Sequence, residues 1–150
     1  EVEIDLAKKA HVGKDICKVL KMEHISILDK VVPTFSKGED LRLDLRVSVL
    51  KPVKGVKVRL TLRTDSDTGI GTGWSSEGDL NEAGEAPLPV TLSLSQFEKG
   101  AFYVSIGVYH ENEAGQTVLL DHITRAFKIE VLGSPMWNPT AHGYMNLDVK

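Results

Sequence analysis

The chain has 150 residues, 41% of them hydrophobic and 26% charged, with a net charge of −3. That balance fits one soluble globular domain, able to bury about 68–70% of its unfolded surface, and excludes a disordered or collagen-like chain. A mildly acidic total also argues against nonspecific nucleic-acid binding, which draws on a dense basic surface.

Taken in order, residues 1–15 place Val2, Leu6 and Ala10 four apart, which fits a helical turn or two before Gly13, or else a linker. The domain proper is expected over residues 16–150. From Ile16 to Leu28 the pattern is strand-like, with Ile25 and Ile27 on one face and His24, Ser26 and Leu28 on the other. Asp29 through Gly38, containing Pro33, reads as a connection. Leu41 to Arg63 is the clearest stretch. Leu41, Leu43, Leu45, Val47 and Val49 alternate with Arg42, Asp44, Arg46 and Ser48, and after Lys51–Gly55 the pattern resumes from Val56 to Arg63. Successive strand residues point to opposite faces, so both runs carry one dry and one wet face, as in antiparallel sheet covering a core.

Ile70 to Ser75 forms a short strand with Gly71, Gly73 and Trp74, and Ser76 to Pro89 reads as a long Gly/Pro loop. Val90, Leu92 and Leu94 restore the alternation. After a corner at residues 95–100, Ala101 to His110 sets Phe102, Val104, Ile106 and Val108 inward, and Tyr103, Ser105, Gly107 and Tyr109 outward. Asn112–Gly115 is a hairpin loop. Its return strand, Thr117 to Leu132, should bulge near Asp121 and Arg125, where polar residues break the alternation. Gly133-Ser134-Pro135 and Trp137-Asn138-Pro139 form a stiff exit to a last alternating segment, Tyr144 to Val149. A lone strand must add to a sheet edge, and a linker leading away from its own sandwich favours the edge of a second copy, giving a homodimer.

The expectation is all-β: an immunoglobulin-like antiparallel β-sandwich of seven to eight strands in two sheets. The corner with Phe97 and Gly100 before Tyr103 resembles the E–F corner of such domains. On that alignment the strands near 56–63, 101–110 and 117–132 share one sheet, and those near 41–49 and 90–94 the other.

Chemistry is sparse. His11, His24, His110, His122 and His142 show no zinc-site spacing, and neither a G-x-S-x-G elbow nor a phosphate-binding loop occurs. The lone Cys17 cannot form an internal disulfide, which leans towards a reducing compartment, and it reads as a structural thiol without an activating neighbour. The acidic stretch 77–85 lacks calcium-loop spacing. No cofactor, metal or nucleotide is expected. No apolar run approaches the ~20 residues needed to cross a bilayer, and no signal peptide opens the sequence.

What remains is a surface. Tyr103, Ser105 and Tyr109 should lie beside Lys57, Arg59, Thr61 and Arg63, with Trp74 at the adjoining edge. Gly107, between the two tyrosines, should leave the sheet surface low. Rings cover the apolar faces of sugars while Arg, Ser and Thr hydrogen-bond their hydroxyls, so Arg59, Thr61, Arg63, Trp74, Tyr103, Ser105 and Tyr109 are the candidate carbohydrate contacts. An ordinary wet sheet face has a similar composition, so this reading and that one stay open.

Several motifs recur in a definite order. They are Gly13, Ile25-Ser26-Ile27-Leu28-Asp29, Phe35 through Leu41, Phe97 through Tyr103, Leu120-Asp121-His122, Ala126 through Val131, and Trp137 with His142-Gly143-Tyr144. Over residues 13–149 this pattern resembles the C-terminal carbohydrate-binding domain of Wzt-type ATP-binding subunits of O-antigen and related polysaccharide ABC transporters. The resemblance implies a cytoplasmic module, at the inner face of the cell membrane, that recognises a finished lipid-linked glycan, often by its terminal group. It implies a homodimer with an exchangeable last strand, an ABC-transporter membrane subunit as partner, and an ATPase in the N-terminal part of the parent protein. A structural or protein-interaction immunoglobulin-like module and an enzyme-associated β-domain remain as readings from other classes.

Overall fold

The computed structural model describes residues 2–13, 18–97, 99–132, 145–146 and 149. In chain order the strands are β1 (Val2–Asp5), β2 (Leu20–Ile27), β3 (Thr34–Ser36), β4 (Asp40–Val49), β5 (Val53–Thr64) and β6 (Gly69–Trp74). β7 (Gly78–Leu80), β8 (Gly84–Ser93), β9 (Gly100–Glu111), β10 (Thr117–Leu132) and β11 (Met145–Asn146) follow. They form two sheets, one in the order β1-β2-β4-β8 and one in the order β11-β6-β5-β9-β10-β3, with β7 also on β5. The fold is the expected all-β sandwich. β2, β4, β5, β6, β8, β9 and β10 are its long strands, and four pieces of two to four residues fill its edges.

The period-2 pattern builds the core directly. Leu41, Leu43, Leu45 and Val47 of β4 are buried against Val58, Leu60 and Leu62 of β5 and Phe102, Val104 and Ile106 of β9. Removing this apolar surface from water is the dominant favourable term in folding, and the two sheets share it. The grouping of 56–63, 101–110 and 117–132 in one sheet, and of 41–49 and 90–94 in the other, is as expected.

Three segments differ from the sequence reading. Val2–Asp5 is a strand rather than a helical turn or linker, paired antiparallel with β2 from Val2↔Ile27 to Asp5↔His24. Leu6 is fully buried while Ala10 is exposed, so the four-residue spacing that suggested a helix carries no common face. The open edge of β2 decides the matter, because its backbone groups need a partner. Second, the connection 29–38 contains β3, which runs parallel to the end of β10 and buries Phe35.

Third, the supposed loop 76–89 contains β7 and half of β8. Pro87 and Pro89 pair with Arg46 and Asp44 at alternate positions of the outermost strand. Proline is tolerated on an edge strand, where its missing N–H faces away from the ladder. The C-terminal segment adds to sheet edges, as a lone strand must. Met145–Asn146 pairs parallel with Gly71–Thr72 of β6, and Val149 bridges to Leu92 of β8. Trp137, His142, Tyr144 and Leu147, like Cys17, lie outside the described residues.

The predicted bulges are present. The β9–β10 register shifts between Leu119 and Asp121 and again between Ile123 and Phe127, and Arg125 has φ 52°. At the first bulge the Asp121 carboxylate turns inward and is 1% exposed. It accepts from His11 Nδ1 at 2.8 Å, from the Met22 amide at 2.8 Å and from the His122 amide at 2.9 Å. One side chain thus ties the N-terminal segment, β2 of one sheet and β10 of the other.

Candidate functional site

The outer face of the larger sheet follows from strand register. Along β5 and β9 the partners are Lys57↔Tyr109, Arg59↔Gly107, Thr61↔Ser105 and Arg63↔Tyr103. On the other side of β5, Arg59 pairs with Trp74 and Thr61 with Thr72. All seven sequence candidates therefore share one face. Their rings mark two clusters, around Tyr109 and around Tyr103, whose Cα positions are roughly 20 Å apart along β9.

The first cluster is built on Trp74. Its indole meets the Tyr109 ring edge-on, with centroids 5.0 Å apart and planes at 63°. The Arg59 guanidinium lies 4.9 Å from the Tyr109 ring and 5.4 Å from Trp74, and the Lys57 ammonium 4.9 Å from Trp74. Trp74 stays 39% exposed, whereas Tyr109 is 9% exposed.

The second cluster surrounds Tyr103. Arg125 and Lys128 lie 4.9 and 5.4 Å from its ring. Arg125 pairs with Asp67 at 3.2 Å, Lys128 with Asp65 at 3.0 Å, and the Arg63 guanidinium donates to the Asp67 carbonyl at 3.2 Å. That bond to Asp65 is the main cause holding the Lys128 pKa above its ordinary value.

Two expectations about this face are corrected. Gly107 leaves no gap, because the Tyr109 ring leans back over it. A Cβ at Gly107 would stand 2.5 Å from Tyr109 Cε1. Tyr109 is thus the floor under Trp74 and Arg59 rather than an open platform of its own. Ser105 is also covered, since its Oγ accepts from the Arg125 amide at 3.0 Å and the residue is buried. Thr61 Oγ1 lies 3.1 Å from Thr72 Oγ1 between the clusters.

Lys128, Arg125, Thr72 and His122 belong to the face but were not among the candidates. Alternation could have supplied Lys128 and Thr72. The positive φ of Arg125 breaks the alternation and hides it. His122 pairs with Gly107, and burial, then the nearby Arg59 charge, lower its pKa against an opposing pull from Asp121. Burial likewise raises the Tyr109 pKa, against the Arg59 charge, so its hydroxyl stays protonated at neutral pH.

The smaller sheet's outer face is different in kind. Arg46 pairs with Asp44 at 3.1 Å and Arg42 pairs with Asp29, so both of its arginines are matched by carboxylates. Among the described residues no group of His, Cys, Asp and Glu could hold a metal ion, and no helix is long and apolar enough to cross a membrane.

An immunoglobulin-like sandwich whose larger sheet carries an aromatic–cationic outer face belongs to the class of all-β sandwich domains. The family model described as the Wzt C-terminal domain matches residues 18–147, and the chain belongs to that family. At family level this is a non-catalytic carbohydrate-binding domain of an ABC transporter. Among solved structures, one described as the C-terminal domain of wzt is similar in fold, with TM-score 0.70 and 13% identity, covering 87% of this chain and 83% of that one. The CARDB domain of the PF1109 protein from Pyrococcus furiosus, in complex with di-metal ions, matches at TM-score 0.43 and 15% identity over 78% of this chain and 97% of that one. A β-glucosidase from Listeria innocua in complex with gluconolactone matches at 0.39 and 13% over 86% and 17%. No curated protein sequence matches the chain.

Proposed function

We propose that this domain recognises a lipid-linked, O-antigen-type polysaccharide, its terminal group included, through the outer face of the larger sheet. The parent protein would be the ATP-binding subunit of a polysaccharide ABC transporter. It would work at the cytoplasmic face of the cell membrane with a membrane subunit, its ATPase lying N-terminal to this domain. The observation that supports the reading best is Trp74, a partly exposed indole held edge-on by a buried tyrosine and flanked by two cations. A sugar ring can lay its C–H face on such an indole while Arg59 and Thr72 hydrogen-bond its hydroxyls. In this reading Tyr103 with Arg63 and Arg125 forms a second contact further along the same glycan.

Homodimerisation is part of the proposal. The edges that hold Met145–Asn146 and Val149 within one chain are equally offered by a second copy, so an exchanged tail keeps the same pairings. Loss of residues 141–150 should then lower the mass seen in sedimentation.

The decisive test is calorimetric titration of polysaccharides against Trp74→Ala, Arg59→Ala and Tyr103→Ala, with Arg42→Ala on the opposite sheet as control. Each of the three should lose about 1–3 kcal/mol of affinity and the control none. Weakened binding in Arg42→Ala, with the other three intact, would move the site to the other face.

A further inference from the structure

We infer that the glycan carries a negative charge, a carboxylate or a phosphate, and that Lys57 and Arg59 beside Trp74 receive it. The inference rests on the glycan-binding reading and narrows it to acidic polymers. Its basis is the pairing of cations on the face. Arg125 and Lys128 have Asp67 and Asp65, and Arg63 lies 4.0 Å from Asp67. Among the described residues, Lys57 and Arg59 have no carboxylate within ion-pair distance. They are two apart on one strand face, so their Cα atoms stand about 7 Å apart, and both head groups converge on the same indole.

Two like charges gathered on one ring without a counter-charge repel each other, and a bound anion relieves that repulsion. Nothing described nearby plays that part. Tyr109 keeps its proton at neutral pH, His122 is held towards its neutral form, and Asp121 is buried and engaged by His11 and two amides. The chemistry of the pair also fits. Arg59 presents a planar fork that matches a carboxylate or phosphate with two parallel bonds, and Lys57 adds a point charge. Trp74 then supplies the surface for the sugar ring that bears the acid. The whole chain is acidic, but charges beyond about 10 Å are screened at ordinary salt, so the local pair governs the contact.

Four polymers test this in two matched pairs: polygalacturonate against its carboxyl-reduced form, and a phosphorylated mannan against its dephosphorylated form. Binding is followed by calorimetry on the whole chain. The charged member of one pair should bind about tenfold or more tightly than its neutral partner, and its affinity should fall as salt rises. Which pair responds distinguishes carboxylate from phosphate. Lys57→Gln and Arg59→Gln should each erase the preference while leaving the melting temperature near the wild-type value, and Arg42→Gln should preserve it. Equal, Trp74-dependent binding of charged and neutral partners would overturn the charge inference and leave the glycan reading standing. If none of the four polymers shows Trp74-dependent binding, the glycan reading falls and this inference with it.

Discussion

Gly107→Ala separates two accounts of the Trp74 cluster. Gly107 is not among the glycines with positive φ, so its backbone is open to alanine. On conformational grounds alone the substitution should stabilise a strand by about 0.5–1 kcal/mol. The new methyl, however, would stand 2.5 Å from Tyr109 Cε1 and 3.1 Å from its Cζ and hydroxyl oxygen. Carbon atoms rest about 3.5–4.0 Å apart, so the ring must move by on the order of 1 Å or swing away. Swinging away forfeits the edge contact with Trp74, about 0.5–1.5 kcal/mol, and the Arg59 contact, about 0.5–1 kcal/mol. The loss exceeds the gain, for a net destabilisation of roughly 0.5–1.5 kcal/mol, or ~2–4 °C in melting temperature per kcal/mol at this size. With Tyr109→Ala already in place, the same Gly107→Ala change should be neutral or stabilising. A double-mutant cycle by urea denaturation should therefore give a coupling of about 1–2.5 kcal/mol. Equal stabilisation by Gly107→Ala in both backgrounds would refute the packing of Tyr109 over Gly107.

Two further outcomes follow from the buried polar groups. Asp121→Ala leaves His11 Nδ1 and the Met22 and His122 amides without their acceptor and should cost about 3–5 kcal/mol in chemical denaturation; a loss under about 1 kcal/mol would show that the carboxylate does not join the N-terminal segment to the two sheets. Burial, then Arg59, lower the His122 pKa below its ordinary 6.5, so the unfolded chain binds that proton more readily than the folded one. Its contribution to stability is complete above about pH 6.5 and is lost as pH falls through the folded value; His122→Gln should flatten the decline between about pH 7 and pH 5, and parallel curves for both proteins would contradict this.

Parity explains what the sequence made legible. A strand has period 2, so once β5 and β9 are known to be neighbours, alternation alone assigns Arg59, Thr61 and Arg63 to the face that holds Tyr103 and Tyr109. The grouping of strands into two sheets needed the corner at Phe97 and Gly100 as well, since parity alone cannot give it. Parity failed for β8, because Pro87 and Pro89 read as loop residues until the strand is known to lie at an edge. It failed for β1, whose four residues gain their ladder only from β2. It was silent on Asp121 and His11, which meet across 110 residues of chain at a bulge where parity is broken.

The subtlest gap concerns relief rather than face. Alternation says which side of the sheet a residue occupies but not how far its side chain leans along the strand. Read singly, Gly107 was a depression and Tyr109 a ring standing beyond it. In the structure the ring fills the depression, because glycine two residues back leaves open the space that a Cβ would occupy. That lean buries Tyr109, leaves the exposed contact to Trp74 of the next-but-one strand, and sets Arg59 beside both rings. At this end of the face the accessible groups are therefore one indole and two cations, with the tyrosine packed beneath them.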